Sequence, residues 1–365
     1  MAMFFTIVVI ILIYLIIFQI AKASEYVQVL KGEEKSRKEQ NKVNGFFMLA
    51  FLIAGLIGVI WCNQALVGKT LNAYPAASEQ GEKVDFMLNM TLIVTGIVFF
   101  ITQILLFWFG FRYQASDKRK AFYFPHNNRL EVIWTVIPAI FLTALVVFGL
   151  KNWFAFTSEP PKEKNPLLVE VTGKQFSWIF RYAGKDGIFG KKYYKNIDDS
   201  KSNSLGQDWT DDKNFDDVVA NVTMYIVKDR PVKLIIGSRD VIHDVGLSHF
   251  RMKMDAVPGT PTTMWFTPKY TTKEMRDITN NPNFQYEISC DQMCGNSHYS
   301  MKGVIEVVSQ AEFDVWIAQQ KPNYFAAFPE KDPANQKQAI PVSADSTKNA
   351  AASVNKKQAD KNPKM

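Results

Sequence analysis

Four long apolar runs dominate the N-terminal part of the chain. They cover residues 4–20, 46–61, 91–111 and 132–150, and none has a charged side chain in its interior. Each run is close to the ~20 residues that a helix needs to cross a bilayer. Buried core helices of a soluble protein are an alternative, but the runs are too long and too uniform for it. The pattern therefore predicts four membrane-spanning helices.

The pattern then changes to short segments rich in β-branched and aromatic residues, separated by turn residues. Such spacing is typical of an all-β sandwich or small barrel. A helix over 311–320 is predicted to close this region, with Phe313, Trp316 and Ile317 on one face. The fold class is therefore a multidomain membrane protein with N-terminal transmembrane helices and an all-β domain. The predicted strands cover 167–171, 175–182, 218–227, 232–236, 262–267, 284–289 and 304–308.

Two polar stretches interrupt or follow the predicted β domain. Residues 183–217 are rich in aspartate, which predicts either a solvated loop or an acidic surface that attracts a basic partner. Its carboxylates include Asp198, Asp199, Asp208, Asp211, Asp212, Asp216 and Asp217. Residues 329–365 contain few apolar side chains and cannot bury enough surface to order themselves, so they are predicted to form a disordered tail.

The basic residues predict how the helices are oriented. The net charge is +7, but Lys and Arg are concentrated in the connections and the tail, which indicates a membrane protein and no nucleic-acid partner. Lys and Arg number six in residues 22–45, two in 64–90 and five in 112–130. Because basic connections stay in the cytoplasm, both chain termini are predicted to lie outside.

The first apolar run has a second interpretation. Ala21-Lys22-Ala23 resembles a signal-peptide cleavage site. The leader before the run has no basic side chain, however, and cleavage would place residue 24 outside, against the charge pattern. A retained helix is therefore favoured.

The residues with the clearest chemistry are Cys290, Cys294, His298 and Met301, which fall within twelve positions. Sulfur and imidazole ligands favour copper or zinc over magnesium or calcium, and a thioether shifts the balance towards copper. Blue-copper sites use one Cys, two His and a weak Met, so this set carries an additional thiol. Two thiolates on one loop can bridge two metal ions. With only three cysteines in the chain, a disulfide-stapled scaffold is excluded.

A second imidazole must come from elsewhere in the chain. His243 and His249 both follow the strand predicted over 232–236, and His243 is nearer its end; His126 lies in a connection predicted to be cytoplasmic. A Cys290–Cys294 disulfide and a Cys₂His₂ zinc site are alternatives. The disulfide would leave His298 and Met301 unexplained.

Four motifs together point to a family. Residues 290–301 match the pattern C-x-E-x-C-G-x-x-H-x-x-M except at its Glu. Residues 240–243 match D-V-x-H, and residues 253–259 match K-x-D-A-x-P-G. Residues 131–139 match E-x-I-W-T-x-I-P-A. The chain resembles subunit II of haem–copper cytochrome c oxidase, which bears the dinuclear copper centre called CuA. The resemblance covers roughly residues 90–320.

The resemblance implies an organisation and a set of copper ligands. It implies a transmembrane hairpin at 88–155, a cupredoxin-like CuA domain at 165–325, and two helices at 1–68 that are additional to the family pattern. The ligands of the dinuclear copper would be His243, Cys290, the backbone carbonyl of Gln292, Cys294, His298 and Met301.

The resemblance also implies a function and a set of partners. Electrons would come from a reduced c-type cytochrome, or from a cytochrome subunit of another respiratory complex, and pass to haem in subunit I. Oxygen would be reduced to water there, coupled to proton translocation. Subunit I, other oxidase subunits and membrane lipid would be partners. The chain would lie in a bacterial-type inner membrane, with its copper domain and C-terminus on the periplasmic side.

Two departures from the family pattern affect individual roles. Gln292 replaces the Glu whose side chain helps to bind magnesium at the subunit I interface, and a neutral amide is a weaker ligand for that hard cation. The segment G-x-Q-W-x-W matches only at Gly173, Gln175 and Trp178, with Phe176 in place of the tryptophan that usually receives electrons. Trp178 and Phe180 are predicted to share one strand face. Phe176 and Trp178 are the candidate electron-accepting residues. Since no C-x-x-C-H occurs, the donor haem belongs to another chain or subunit.

Glu131 lies at the predicted cytoplasmic start of the fourth apolar run. The resemblance implies that it is a proton-uptake point, and the alternative is a carboxylate favoured at a helix N-terminus.

Two other functions are alternatives for the whole chain. A membrane-anchored copper chaperone is disfavoured by the additional cysteine and by Glu131, and a quinol oxidase subunit II is disfavoured by the intact ligand set.

Overall fold

The computed structural model describes residues 2–336. Its N-terminal part consists of four long helices: α1 Ala2–Lys31, α2 Glu33–Leu66, α3 Glu79–Arg112 and α4 Asn128–Thr157. All four are long and apolar enough to cross a membrane. Their large apolar side chains are mostly exposed, as expected for helices that are solvated by lipid.

The connections lie on the sides that the charge pattern predicts relative to one another. The connection between α2 and α3 packs on the β domain, where Arg251 donates to the Leu71 and Tyr74 carbonyls and Ser78 Oγ donates to the Phe250 carbonyl. The other two connections meet at the opposite ends of the helices through an ion pair between Lys38 and Asp117. The α2–α3 connection therefore lies on the same side as the β domain, and the two basic connections lie on the other side.

The basic connection 22–45 is helical rather than a loop. Helix α1 continues through the suspected cleavage site at 21–23, and α2 begins after the single residue Gly32. An ion pair between Lys31 and Glu39 at 2.6 Å joins the two helical ends, and Glu34 pairs with Lys38 at 3.1 Å one turn further along α2. Alternating charges at such spacings support a solvated helix, which explains why this polar sequence does not unwind.

The β domain is built from ten strands in two five-stranded sheets. The first sheet has the order β3-β2-β1-β5-β8 and the second β4-β10-β9-β6-β7. The pairs β1–β5 and β4–β10 are parallel and the others are antiparallel. The strands are β1 Leu167–Lys174, β2 Ser177–Tyr182, β3 Val218–Asn221, β4 Thr223–Val227, β5 Val232–Ser238, β6 His243–Leu247, β7 Met252–Ala256, β8 Thr262–Phe266, β9 Tyr286–Cys290 and β10 Lys302–Val308.

The inner faces of the two sheets form one apolar core. Phe180 and Leu234 come from the first sheet, and Tyr286 and Ile305 from the second, and all four are fully buried. Helix α5 Thr272–Thr279 and helix α6 Gln310–Gln319 lie against this core through Met275 and Phe313. The closing helix predicted over 311–320 is therefore present, shifted by one residue.

Two strand predictions were wrong in detail. The strand predicted over 175–182 begins only at Ser177, so Phe176 lies in the turn before it. The strand predicted over 218–227 is broken at Val222, which has φ +77°, and its halves belong to different sheets. Sandwich corners are commonly made by a strand that bends from one sheet to the other. Strands β6 and β7 and helix α5 were not predicted. β6 is buried along its whole length yet contains His, Asp and Gly, so it shows no apolar alternation.

The polar segment 183–217 is a folded layer rather than an open loop. Arg181 is 1% exposed and binds Asp217, Glu170, Asn214 and the Gly190 carbonyl. Several of the other aspartates accept hydrogen bonds from backbone N–H groups of the same segment. These carboxylates therefore serve the fold of the segment itself.

The C-terminal chain packs on this layer. Helix α7 Asn323–Ala327 places Tyr324 in a stack with Phe215 at 4.2 Å between ring centroids. The first residues of the predicted tail form a turn at Pro329–Lys331 and the short helix α8 Pro333–Gln336, and Asp332 pairs with Lys321 at 3.0 Å. The remainder of the predicted tail, 337–365, lies outside the described residues.

Candidate metal centre

The sheet brings the sulfur and nitrogen residues to one end of the domain. β6 begins at His243, and its neighbour β9 ends at Cys290. Their ladder pairs Val245 with Cys290, so His243 lies just beyond the last rung. The loop after Cys290 then returns to β10, which pairs with β9. Because β10 begins directly after Met301, both ends of the loop lie at the same end of the sheet.

The side chains of this end are in contact with one another. The two cysteine Sγ atoms are 3.8 Å apart, and His243 Nδ1 lies 3.7 Å from Cys290 Sγ. Cys294 Sγ lies 3.6 Å from His298 Nδ1 and 3.7 Å from Met301 Sδ. The Gln292 carbonyl oxygen is 3.1 Å from Cys290 Sγ. All the residues proposed as ligands from the sequence therefore meet in one place.

Both cysteines are free thiols, which contradicts the disulfide alternative. They are buried, as are His243 and Met301. Burial, with the adjacent Cys290 thiol, raises the pKa of Cys294 to about 11. Two thiolates side by side in a dry pocket repel each other, so a bound cation is what favours their ionised form. The donor set of thiols, imidazoles, a thioether and a carbonyl fits copper.

Asp240 fixes the orientation of the His243 ring. His243 Nε2 lies 2.8 Å from Asp240 Oδ1, and an ionised carboxylate only accepts, so Nε2 carries the proton and Nδ1 presents its lone pair to the cysteines. Burial opposes ionisation of Asp240, but hydrogen bonds from Gln175 N, His243 and Val241 N outweigh it and lower its pKa. The sequence motif included Asp240 without revealing this role.

Two glycines are required by close approach around the site. A Cβ on Gly173 would lie 2.7 Å from His243 Cδ2, so this position of β1 must stay bare for the ring to pack there. Gly295 has φ +132°, and a Cβ on it would lie 3.0 Å from both Gln175 Nε2 and the Phe176 ring. Only glycine readily adopts that backbone conformation.

The candidate electron-accepting residues lie beside this cluster. Trp178 is buried, with its ring centroid 6.0 Å from that of His243. Phe176 is half-buried against Gly295 of the cysteine loop. Glu131 lies in the first turn of α4, at the end of that helix farther from the β domain, and accepts a hydrogen bond from Asn127 N at 3.4 Å.

The comparisons with known proteins match most of the described chain. The family model for the transmembrane domain of cytochrome c oxidase subunit II matches residues 66–151, and the model for its periplasmic domain matches 167–308. The chain belongs to the cytochrome c oxidase subunit II family. The predicted family and the fold class, with its cupredoxin-like β domain, are thereby confirmed. α1 and nearly all of α2 lie outside both matched ranges.

Two relatives and one solved structure are examples of what this chain is similar to. The alternative cytochrome c oxidase subunit 2 of Bradyrhizobium diazoefficiens is 33% identical over 248 residues, which are 68% of this chain and 83% of the relative. The cytochrome c oxidase subunit 2 of Cereibacter sphaeroides is 24% identical, over 68% of this chain and 79% of the relative. The solved periplasmic domain of subunit II of cytochrome oxidase from Bradyrhizobium japonicum is 24% identical, with a TM-score of 0.28. The match covers 42% of this chain and 91% of the solved chain.

Membership of this family has direct consequences. The chain is a subunit of a haem–copper cytochrome c oxidase, an oxidoreductase complex, and its family binds copper. The cluster of His243, Cys290 and Cys294, whose ligand atoms lie within 4.8 Å of one another, is where such a metal would be held.

His249, the other histidine considered as a ligand, faces different neighbours. Its ring packs edge-on against Phe284 at 5.0 Å and Tyr286 at 5.8 Å. Strand β6 separates it from His243, because His249 follows the far end of that strand. Burial, reinforced by the positive charge of Arg251, lowers the pKa of His249 from its ordinary 6.5.

Acidification is therefore expected to destabilise the β domain through His249. The unfolded chain binds a proton on His249 at a higher pH than the folded chain does. The contribution of neutral His249 to the free energy of unfolding is therefore complete above about pH 6.5, and it is lost as the pH falls through the pKa of the folded state. His249→Phe should flatten the dependence, because phenylalanine keeps the ring packing and cannot titrate. Urea unfolding of the full chain in detergent between pH 8 and pH 5 measures the effect. Parallel curves for parent and variant would contradict it.

Proposed function

We propose that this chain is the electron-transfer subunit of its oxidase and holds a dinuclear copper centre. The observation that supports this most is the convergence of two buried thiols, 3.8 Å apart, with His243, His298 and Met301 around them. A mononuclear blue-copper site would need one thiol of the two. The second thiol favours a pair of copper ions.

The residues of the cluster would bind the metal through different ligand types. Cys290 and Cys294 would be the thiolates shared by the two ions, His243 and His298 the imidazole ligands, and the Gln292 carbonyl and Met301 the weak ligands. When bound, the copper pair supplies one-electron redox chemistry with its charge shared over both ions. The buried sandwich keeps these side chains in place between redox states, so little rearrangement opposes electron transfer.

The proposed route begins with a reduced c-type cytochrome, or a cytochrome subunit of another respiratory complex. Phe176 is the candidate that a donor could approach, since it is half-buried and touches the cysteine loop at Gly295. Trp178 is fully buried next to His243 and suits a step inside the domain. Electrons would pass to haem in subunit I, where oxygen is reduced to water with proton translocation.

The membrane assignment extends the same proposal. The β domain would face the periplasm and the two basic connections the cytoplasm, in a bacterial inner membrane. Glu131 would then lie at the cytoplasmic end of α4 as the proton-uptake point. Magnesium at the subunit I interface is not assigned, because Gln292 offers an amide where a carboxylate is expected.

Copper loading tests the proposal directly. The purified full chain in detergent should bind two copper ions and give the paramagnetic spectrum of a delocalised mixed-valence pair. Cys62→Ser serves as a control, because Cys62 is exposed on α2 and should contribute nothing to the site. One tightly bound copper with a four-line spectrum would refute the dinuclear centre and favour a mononuclear chaperone.

A further inference from the structure

The turn between β1 and β2 carries none of the proposed ligands, yet it is bonded to both segments that do. Gln175 Nε2 donates to the Cys294 carbonyl oxygen at 2.5 Å. The backbone N–H of the same residue donates to Asp240 Oδ2 at 2.7 Å. One residue is thus hydrogen-bonded to the cysteine loop and to the turn that precedes His243.

The bond to Asp240 leads directly to a ligand. Asp240 uses its other oxygen, Oδ1, to hold His243 Nε2 at 2.8 Å. The bond to Cys294 acts on the peptide of a ligand itself. Gln175 therefore connects the backbone of Cys294 to the imidazole of His243 through a continuous set of hydrogen bonds.

This connection joins segments that the strand pairing does not join. The β6–β9 ladder pairs Val245 with Cys290 and Gly246 with Ser289, and its pairing does not extend to Cys294. Beyond them, the cysteine loop rests on the turn, because Gly295 approaches both Gln175 and Phe176 closely. The turn thus supports the part of the loop that the ladder does not reach.

We propose that Gln175 is a positioning residue for the copper centre, which fixes the cysteine loop and the His243 turn at one mutual spacing. The inference rests on the proposed function. Groups that support metal ligands typically contribute about 10–100-fold in metal affinity. Gln175 is exposed to solvent, so the lower end of that range, about tenfold, is expected.

Two variants of the full copper-loaded chain test this. Gln175→Leu removes the amide, and Gln175→Glu keeps its size but cannot donate when ionised. Both should release copper to a chelator about tenfold faster than the parent and change the hyperfine splitting of the copper spectrum. Gln319→Leu, at the exposed end of α6, is the matched control and should behave like the parent.

The outcomes separate this inference from the function on which it rests. Unchanged release and an unchanged spectrum in both Gln175 variants would overturn the positioning role, even if thermal stability fell. A parent chain without the two-copper spectrum would overturn the proposed function. In that case, amide exchange of the copper-free chain still decides the inference, since Gln175→Leu should speed exchange in residues 294–298 and unchanged exchange would refute it.

Discussion

Replacing Cys294 with serine is expected to eliminate the mixed-valence copper signal and to lower the copper content to one ion per chain or none. Cys294 Sγ lies within 4 Å of Cys290 Sγ, His298 Nδ1 and Met301 Sδ, at 3.8, 3.6 and 3.7 Å. The Cys294 sulfur is therefore in contact with the other sulfur and nitrogen ligands of the loop. Serine is similar in size, but its hydroxyl is a hard and very weakly acidic group that does not replace a bridging thiolate.

The loss of copper affinity should exceed the ~10–100-fold that loss of a supporting group costs, because a ligand itself is removed. Metal analysis and paramagnetic resonance of the full chain measure it. Cys62→Ser is the control, since it makes the same chemical change at an exposed cysteine outside the site. A variant that kept the dinuclear spectrum would show that Cys294 does not bridge.

The architecture was predictable wherever one physical signal dominated a segment. The four helices follow from apolar runs whose length matches a bilayer, and the seven predicted strand segments follow from β-branched and aromatic residues between turns. Where two requirements competed, prediction failed. β6 must present His243 at its end and remain buried throughout, so its sequence resembles neither an alternating strand nor a turn. The bend at Val222 depends on the packing of two sheets and has no local sequence signal.

Some residues of the candidate site were also predictable from the sequence, and others were not. Its sulfur ligands lie in one loop, so their spacing alone suggested copper. The choice between His243 and His249 depended on which end of an unpredicted strand each occupies. The hydrogen bond from Gln175 to Cys294 joins residues that are 119 positions apart, and no pattern within either segment indicates it. Supporting contacts of this kind arise from the fold, and a single sequence does not reveal them.

Replacing Arg181 with methionine is expected to destabilise the β domain by about 3–5 kcal/mol, the usual result of breaking a buried ion pair. Its guanidinium donates to Asp217 at 2.9 and 2.5 Å and to Glu170 at 3.1 Å. Arg181 and Asp217 are almost completely buried. Methionine fills similar space but leaves the Asp217 carboxylate without its cation, and burying an unpaired charge is far more costly than losing a contact. Glu170 keeps its ion pair with Lys192.

Lys192→Met provides the matched control for this change, because Lys192 pairs with the same Glu170 from a partly exposed position. Exposed pairs contribute about 0–1 kcal/mol, so its effect should be several times smaller. Asp217→Asn added to Arg181→Met should recover part of the loss, since it removes a buried charge that the first change leaves unpaired. Urea unfolding of the full chain in detergent measures all three variants. If Arg181→Met cost no more than Lys192→Met, the folded layer 183–217 would not depend on this ion pair, and its order would have to come from aromatic packing such as that of Phe215 on Tyr324.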